Sequence, residues 1–367
     1  MLCTEKLFSL IPLAEIEYSA QEQIFAALKL DFMLKLAIMP DIHMGYSLPI
    51  GGVALLDNVI SPAYVGYDIG CGMCSFNTGI AARDLDESEK VKIFYEIYDR
   101  VPVGFDGHTE YEDRLVFESA SGSAELNEKV GRRLNSQLGT LGSGNHFIEI
   151  GKNRDGEVVI TIHSGSRNIG HSIAGHYMKI QGINKTEAGF LSLDSVDGAN
   201  YWADMNFALN YALKNRVAMM EAVCDILGVR LSFATMINEN HNHAELTNEG
   251  VLHRKGATPA ENGQLGVIPG NMRDGVYITR GLGNETFLNS ASHGAGRKLG
   301  RNKAKKSLDV ERFMDQMEKA DIIAKVGTST LDEAPDAYKN LDKVISYQEG
   351  IVIDVVDRVI PLINVKG

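Results

Sequence analysis

Apolar residues along this chain recur with helical spacing in three long stretches. The longest covers residues 200–227, where apolar side chains fall roughly on one face and Gly228 follows as a stop. Two shorter helices are predicted over residues 20–31 and 84–99, and the second opens near Asp84 with acidic residues that suit a helix N-terminus. The methionine and aromatic content of the longest helix indicates a core-facing element.

Shorter apolar runs predict strands between these helices. Residues 158–162 form one run that delivers His163 at its end, and residues 231–237 and 275–279 are strand-like beside polar clusters. Isoleucine and valine cluster and alternate again over residues 351–365. Because strands and helices intermix without a regular βαβ rhythm, the pattern predicts an α+β fold rather than a doubly wound sheet.

Length and composition predict a folded protein with an ample core. The chain has 367 residues, 44% of them hydrophobic, with 37 glycines against nine prolines. This length allows two domains, but no repeat, low-complexity tract or linker forces a boundary. Length and composition therefore leave one or two domains open.

Charge restricts how the chain could contact nucleic acid. Lys and Arg number 36 against 48 Asp and Glu, a net charge of −12, so the molecule as a whole repels polyanions. The candidate for a local contact is residues 297–306, with six positive charges in ten residues, although such a run can also be a solvated helix face. No window is long and apolar enough for a membrane span, and Glu5 and Lys6 interrupt the N-terminal apolar stretch. We expect a cytoplasmic protein without membrane contact.

His293 lies in the most unusual local sequence, N-S-A-S-H-G-A-G-R. A histidine next to Gly294 and close to Gly296 has little packing of its own, and glycines let backbone amides approach a phosphate. This setting is typical of a nucleophile.

The cysteines are better explained as reduced thiols than as a disulfide framework; they are Cys3, Cys71, Cys74 and Cys224. Cys71 and Cys74 form C-G-M-C, which could be a redox pair or half of a zinc site, but no second C-x-x-C completes such a site. Alternatively, Asp68 and Cys71 on a glycine-rich turn could present a carboxylate and a thiolate to one metal. In that interpretation Cys74 is a buried, inert thiol.

Five side chains at element ends or in loops rich in glycine and asparagine form a possible ligand set: Asp68, Cys71, His146, His163 and His241. Each histidine alone could be a hydrogen-bonded loop residue. Together they exceed what one tetrahedral ion needs, and they suit two ions bridged by the sulfur. The mixed donors would accept manganese, zinc or cobalt.

A series of ordered segments then identifies a resemblance. The segments are M-P-D-I-H-M-G-Y, G-Y-D-I-G-C-G-M, G-T-L-G-S-G-N-H-F-I-E, I-H-S-G-S-R, H-N-H-A-E, R-K-G-A, I-P-G-N-M, R-G-L-G-N-E, S-H-G-A-G-R, D-E-A-P-D-A-Y-K-N and V-K-G. They resemble, in the same order, the RtcB family of RNA-splicing ligases, from about Met39 to the C-terminus. The resemblance implies one α+β domain of mixed sheets ringed by helices. It also implies two manganese ions (Mn2+), GTP, and joining of an RNA 3′-phosphate or 2′,3′-cyclic phosphate end to a 5′-hydroxyl end.

The resemblance also implies roles for individual residues. Asp68 and His146 match the ligands of one manganese, His163 and His241 those of the other, Cys71 bridges, and His293 matches the guanylylated histidine. Residues matching the GTP or GMP contacts are Asn145, His146, Phe147, Ile148, Glu149, His241, Asn242, Pro269, Gly270, Asn271, Met272, His293, Gly294, Ala295, Gly296, Tyr338 and Lys366. Phosphate or RNA contacts are assigned by chemistry more than by match to Arg167, Arg254, Lys255, Arg297 and Arg301.

The chain departs from the family pattern at three points. Met44 stands where relatives commonly have tryptophan, and Val276 where they usually have a serine near the guanylate. The chain also looks shorter, before Met39 and between Gly79 and Gly139, as in a divergent branch serving RNA repair or tRNA splicing. Two alternatives stay open: a metal-dependent cyclic phosphodiesterase that does not ligate, and a non-catalytic RNA-binding relative. The sequence names no activating protein partner.

Overall fold

Two large β-sheets with helices packed on them make up the fold in the computed structural model, which describes residues 2–3, 5–111, 115–180 and 189–367. The helices are α1 (Tyr18–Leu28), α2 (Pro62–Val65), α3 (Glu87–Arg100), α4 (Ala124–Gly131), α5 (Arg167–Ile180), α6 (Val196–Leu227), α7 (Arg301–Ser307), α8 (Val310–Lys319) and α9 (Leu341–Ser346). Short 3-10 segments are Leu13–Glu15, Ala82–Asp84, Glu285–Phe287, Thr328–Glu333 and Pro335–Ala337. The side chain of Cys3 lies outside the described part.

The strands come from the whole length of the chain. They are β1 (Leu2–Cys3), β2 (Leu7–Ser9), β3 (Met33–His43), β4 (Ile50–Leu56), β5 (Val59–Ile60), β6 (Gly72–Ala81), β7 (Phe147–Lys152), β8 (Glu157–Ser164), β9 (Leu191–Ser192), β10 (Ile237–Asn240), β11 (Asn242–Leu246), β12 (Val251–Lys255), β13 (Ala257–Pro259), β14 (Leu265–Pro269), β15 (Val276–Gly281), β16 (Ser290–Ser292), β17 (Ile323–Ala324) and β18 (Ile353–Lys366). Both large sheets combine consecutive strands with strands distant in sequence, such as β4 with β12 and β7 with β18, and no regular βαβ order appears in them, so the α+β prediction is confirmed.

The two large sheets are mixed. One has six strands in the order β1-β2-β3-β4-β12-β11, and the other has eight, in the order β10-β6-β8-β7-β18-β15-β14 with β17 added beside β18. The pairs β2–β3 and β17–β18 are parallel, whereas the other neighbouring strands in these sheets run antiparallel. His241 is the residue between β10 and β11, so the chain passes from one sheet to the other at that residue.

The longest predicted helix is confirmed as α6, the longest helix of the described residues. The Ser195 side chain caps its N-terminus by accepting from the Gly198 amide, and Gly228 ends it in a left-handed conformation (φ 67°). Met219, Met220 and Val223 are fully buried in the core cluster that α6 shares with the eight-stranded sheet. α6 therefore forms a fixed support behind the strands that carry the candidate ligands.

The other sequence predictions differ in accuracy. Helices α1 and α3 confirm the predicted helices to within about three residues. The strand predicted over residues 231–237 is wrong, because β10 begins only at Ile237. The apolar side chains of Leu231 and Met236 pack on the core from a loop, so burial here does not require a ladder of backbone hydrogen bonds. No helix in the described ranges is both long and apolar enough to cross a membrane.

Candidate metal centre and histidine cleft

Asp68 and Cys71 face the same side of a tight turn between α2 and β6. The Cys71 amide donates to the Asp68 carbonyl over 3.1 Å and closes the turn. Gly70 within it has φ +74°, and a Cβ there would lie 2.7 Å from the Ala212 Cβ on α6. Only glycine fits this position without displacing α6. The glycines of G-Y-D-I-G-C-G-M thus bring the turn onto its supporting helix.

The first donor set joins this turn to His146. Its Nε2 lies 3.0 Å from Asp68 Oδ2 and 3.5 Å from Cys71 Sγ. Its Nδ1 lies 3.0 Å from the Leu141 carbonyl, and because only an N–H can donate to a carbonyl, the proton belongs on Nδ1 in the neutral ring. The Nε2 lone pair is therefore directed toward the carboxylate and the thiol.

The second donor set uses the same sulfur with two further histidines. His163 Nε2 lies 3.2 Å from Cys71 Sγ and 3.3 Å from His241 Nε2. His163 is carried by β8, and its Nδ1 lies 3.2 Å from the Asn145 carbonyl. The His241 amide donates to the Cys71 carbonyl over 2.7 Å. Backbone contacts therefore hold both rings against Cys71.

These two sets fit two metal ions. In each set the ligand atoms lie within 4.8 Å of one another, and Cys71 belongs to both. Shared histidine, carboxylate and thiolate donors suit first-row divalent ions. The described residues therefore support a metal cofactor at this place.

Burial affects the protonation of the ligands. It lowers the pKa values of His163 and His241 well below their ordinary range, so both rings are neutral and able to ligate. Burial opposes ionisation of Asp68, but His146 outweighs it, with the Cys71 hydrogen bond and Arg167 helping to hold the Asp68 pKa below its usual value. Burial and the Asp68 charge raise the pKa of Cys71, so a metal must displace a proton from the thiol to bind it.

His293 lies beside the second set, with its ring centroid 4.9 Å from that of His241. Its Nδ1 is 2.6 Å from Oδ2 of Asp41, a fully buried residue on β3. This contact leaves the His293 Nε2 as the free ring nitrogen. The arrangement of a buried carboxylate, an oriented imidazole and an open nitrogen is typical of a nucleophile held in one tautomer.

Glycines allow this pairing to form. Gly296 has φ +74°, and a Cβ there would lie 2.1 Å from the Asp41 carbonyl oxygen. Gly256 has φ +60°, and its Cβ would lie 3.1 Å from His293 Nδ1. A side chain at either position would move the histidine or its carboxylate.

Both donor sets and His293 open into one cleft of about 1320 Å³. This volume exceeds that of most small-molecule pockets, which supports room for a nucleotide together with a second substrate. Predicted site residues that line it are Asp68, Cys71, Asn145, Phe147, His163, His241, Asn242, Lys255, Pro269, Gly270, Asn271, Met272, His293, Gly294, Ala295, Gly296, Arg297, Arg301, Tyr338 and Lys366. Predicted residues outside its lining are His146, Ile148, Glu149, Arg167 and Arg254.

Glu149 and Ile148 face opposite sides of β7. Ile148 packs in the core cluster under α6, so its side chain is a structural one. Glu149 is 1% exposed, accepts from Asn364 over 3.2 Å, and has no partner for Oε1 among the described residues. Burial raises its pKa to about 8, against the opposing influence of Asn364 and Lys366. Asn364 lines the cleft, so the Glu149 carboxyl that it contacts lies directly behind this part of the cleft lining.

An ion network around Glu333 borders the cleft beside Lys366. Lys366 Nζ lies 2.8 Å from Glu333 Oε2, and Arg297 and Arg301 each contact Glu333 Oε1 over 3.1 Å. Tyr338 donates to Glu333 over 2.6 Å, and the Arg297 guanidinium lies 4.9 Å from its ring centroid. These cations are thus ordered around one buried carboxylate.

The remaining cations predicted to contact phosphate differ in position. Arg167 donates to Thr140 and to the Gly104 carbonyl, and its charge acts on Asp68 from behind the first donor set. Arg254 is 1% exposed and bound to Glu245 over 2.6 Å, so it faces away from the cleft. Lys255 lines the cleft itself.

Sequence reasoning missed three residues that position the site. Asp41 stands in P-D-I-H, where the sequence interpretation considered the histidine and not the aspartate. Glu333 lies in D-E-A-P, quoted only as part of a motif. Arg216 gave no signal, because it lies within α6, yet it is fully buried and donates to the carbonyls of Gly70 and Ser164 beside the ligands Cys71 and His163.

Comparisons with known proteins identify the family of this chain. The family model described as tRNA-splicing ligase RtcB matches residues 23–367. The chain is similar to the RNA-splicing ligase RtcB of Escherichia coli strain K12, 35% identical over 96% of this chain and 95% of that protein. It is also similar to the tRNA-splicing ligase RtcB of Pyrobaculum aerophilum, 32% identical over 90% and 87%. The RNA-splicing ligase RtcB of Mycobacterium tuberculosis strain H37Rv is 30% identical over 90% and 96%.

Proposed function

Because this chain belongs to the RtcB family and is an RNA ligase, we propose that it joins an RNA 3′-phosphate or 2′,3′-cyclic phosphate end to a 5′-hydroxyl end. We propose that GTP and two Mn2+ ions serve the reaction, over one ligase domain spanning residues 1–367. The observation that carries the proposal is the pairing of His293 with Asp41 beside two donor sets that share Cys71. Service in tRNA splicing or RNA repair, and a cytoplasmic location, stay predictions.

Asp68, Cys71 and His146 would hold one manganese, and Cys71, His163 and His241 the other. When bound, the ions would supply positive charge that neutralises phosphate oxygens during phosphoryl transfer. The carbonyls of Leu141 and Asn145, bonded to Nδ1 of two ligand histidines, would keep Nε2 of each ring available.

His293 would act as the nucleophile through Nε2, because Nδ1 is occupied by Asp41. Its lone pair forms a bond to the α-phosphorus of GTP while the bond from that phosphorus to the pyrophosphate oxygen breaks. Asp41 would stabilise the positive charge that develops on the ring during attack. The product is a histidine-GMP intermediate, with pyrophosphate released.

RNA joining would then take two displacements, the first of which transfers GMP to the RNA and the second of which releases it. An oxygen of the RNA 3′-phosphate attacks the GMP phosphorus, the bond to His293 breaks, and the RNA end carries GMP through a pyrophosphate linkage. The 5′-hydroxyl oxygen attacks the RNA phosphorus next, GMP leaves, and the hydroxyl proton passes to solvent. A cyclic phosphate first needs opening by water. Each displacement is easier than direct joining, because the leaving group is activated.

The guanylate would lie across the part of the cleft between His293 and Lys366. Backbone groups of residues 145–149, 269–272 and 294–296, with Asn242 and Tyr338, are the proposed contacts. Lys366, Arg297 and Arg301 would neutralise phosphate charge. In the structure all three contact Glu333, which holds them in place. Arg167 and Lys255 are proposed for RNA phosphates, whereas the buried position of Arg254 gives this role little support.

Labelled GTP tests the proposal directly. The parent protein with MnCl2 should form an acid-labile, base-stable protein adduct and join RNA ends, and His293→Ala should abolish both with a thermal midpoint close to that of the parent. His176→Ala, on α5 outside the cleft lining, is the matched control and should form the adduct. Ligation by His293→Ala would overturn the proposed mechanism.

A further inference from the structure

One wall of the cleft has no role in the proposed metal, nucleophile and guanylate sites. It consists of Met44, Tyr46, Tyr67, His171 and Lys255, and we refer to these five residues as the aromatic wall. Met44 is 57% and Tyr46 56% exposed, values that are high for apolar and aromatic side chains inside a cleft. Exposed aromatic groups beside a reaction centre indicate a binding surface.

The rings of the aromatic wall are arranged as a continuous surface. Tyr46 and Tyr67 meet edge to face with centroids 5.8 Å apart and an interplanar angle of 77°. Tyr67 stacks on His171 of α5 with centroids 4.8 Å apart at 25°. Three separate parts of the chain thus contribute rings to one surface.

The loop that carries Met44 and Tyr46 is fixed by α1. The Gln23 side chain donates to the Gly45 carbonyl over 2.8 Å and accepts from the Gly45 amide over 3.1 Å. The Met44 amide donates to Glu17 over 2.5 Å. A Cβ on Gly45 would lie 2.3 Å from the Leu48 carbonyl oxygen, so this close approach requires glycine. The exposed side chains therefore stand on a pre-organised backbone.

Lys255 places an amine that can carry a positive charge at the base of the wall. It is 5% exposed, and its Nζ donates to the Ala63 carbonyl over 2.6 Å and lies 5.8 Å from the Tyr46 ring centroid. No carboxylate among the described residues forms an ion pair with it, and burial lowers its pKa to about 7. A phosphate beside Lys255 would supply the counter-charge that the described residues do not provide, and it would favour the protonated amine.

We propose that the aromatic wall binds a single-stranded RNA end, with bases stacked on Tyr46 and Tyr67 and a backbone phosphate beside Lys255. This inference rests on the proposed function and names a place for its RNA substrate. Tyr67 directly precedes the proposed ligand Asp68, so a base stacked there lies next to the reacting end. Stacking on aromatic rings tolerates any base, and it requires bases that are not already paired.

Two synthetic RNA oligonucleotides carry the test. One has a 3′-phosphate and 2-aminopurine at its last nucleotide, and the other has a 5′-hydroxyl and 2-aminopurine at its first. Stacking quenches 2-aminopurine fluorescence, so titration of each oligonucleotide with the full chain and MnCl2, without GTP, reports both the Kd and the stacking. The oligonucleotide that is quenched by the parent identifies which RNA end occupies the wall.

We expect Tyr46→Ala and Tyr67→Ala to weaken binding about tenfold and to remove the quenching, as ring removal does at other stacking sites. Tyr46→Phe keeps the ring and should bind like the parent. Tyr95→Ala, an equally exposed tyrosine on α3 outside the cleft, is the matched control. A duplex with a blunt end should bind more weakly than the single strand.

Kd values within twofold of the parent, with unchanged quenching, in both alanine variants would overturn the inference. Formation of the GMP adduct is measured in parallel, and a loss there equal to the loss of RNA binding would also overturn it, by placing the rings in the nucleotide site. Failure of the proposed function appears differently: the parent itself would then neither form the adduct nor join RNA.

Discussion

At the scale of single residues, a carboxylate behind a histidine determines which ring nitrogen can react. Asp41 is fully buried, its Oδ1 has no partner among the described residues, and its Oδ2 contacts His293 Nδ1. An amide at this position would have the same shape but could donate to Nδ1. It would then move the ring proton to Nε2, where the lone pair is needed.

Asp41→Asn should therefore reduce formation of the GMP adduct about 100-fold or more, with little change in the thermal midpoint. Single-turnover labelling with GTP and MnCl2 measures the rate. Asp354→Asn, an exposed carboxylate on β18, provides the control and should label like the parent. A normal rate in Asp41→Asn would show that His293 does not depend on this pairing.

Glu149 links the site to stability through pH. Its raised pKa, about 8, means that the folded protein disfavours the carboxylate form. A carboxyl whose pKa is higher in the folded than in the unfolded protein lowers the free energy of unfolding as the pH rises. The loss runs from about pH 4.5, the ordinary pKa of the carboxyl, to about pH 8. At neutral pH the folded protein therefore keeps this carboxyl largely protonated, whereas the unfolded chain ionises it, and this difference favours unfolding.

Glu149→Gln should be more stable than the parent by an amount that grows between pH 5 and pH 8, on the order of 2–4 kcal/mol at the upper end. Denaturant unfolding at several pH values measures the difference. Glu157→Gln is the control, since hydrogen bonds from Asn77 and Asn153 lower the pKa of that exposed carboxyl and no gain is expected. A difference that does not vary with pH would contradict the prediction.

At the scale of elements, the turn before β6 separates two cysteines that are only three residues apart. Cys71 lies in the turn and belongs to both donor sets, whereas Cys74 lies within β6 in the core cluster under α6. Burial raises the pKa of Cys74 to about 12, so it stays an unreactive thiol. Both cysteines are free and buried.

Cys71→Ala should lose both manganese ions together, while Cys74→Ala should retain both with at most a packing penalty. His241→Ala should mainly weaken one ion. Elemental analysis after gel filtration in MnCl2 counts the bound metal. Two ions in Cys71→Ala would exclude the bridging role, and loss of metal in Cys74→Ala at unchanged stability would restore the C-x-x-C interpretation.

The ion pairs of helix α7 weaken the prediction that the basic run 297–306 contacts RNA. Arg301 and Lys305 form ion pairs with Asp332 and Glu333, so part of the charge is already compensated. Lys303 and Lys306 stay exposed. As an RNA contact, the run is therefore weaker than its composition indicates, and the aromatic wall is a second surface for RNA on this acidic molecule.

At the scale of the whole molecule, the proposed metal site lies where the two large sheets meet. His163 comes from the eight-stranded sheet, and His241 lies at the passage of the chain into the six-stranded sheet, which also carries Asp41. Ions held by these ligands would connect both sheets. Binding to the folded state alone raises stability, by about 2.7 kcal/mol at a ligand concentration of one hundred times Kd.

Mn2+ should accordingly raise the thermal midpoint of chelator-treated protein by a few degrees. A gain of about 2.7 kcal/mol in the free energy of unfolding corresponds to a shift of this order in a chain of this length. Differential scanning calorimetry over a MnCl2 titration measures the shift. Cys71→Ala provides the control and should show a much smaller rise. An unchanged midpoint of the parent at millimolar MnCl2 would argue against a site that joins the two sheets.

The sequence by itself determined the class of fold, the long helix α6, the family and the ligand types. These follow from local information: apolar periodicity, glycines at close approaches and ordered motifs. It could not determine that residues 231–236 pack as a loop, because burial there is satisfied without strand pairing. The sequence likewise does not show that Ile148 packs in the core whereas Glu149 points to the other side. That difference depends on which face of β7 is turned toward the core.

Only the tertiary structure decided which distant groups meet. Asp41 and His293 are 252 positions apart, and Arg216 reaches the carbonyls beside Cys71 and His163 from a helix with no local sign of function. The aromatic wall likewise joins a loop after β3, the ligand turn and α5. Such contacts depend on strand order and helix packing, which arise from the whole chain burying its apolar surface at once, and no local pattern encodes them.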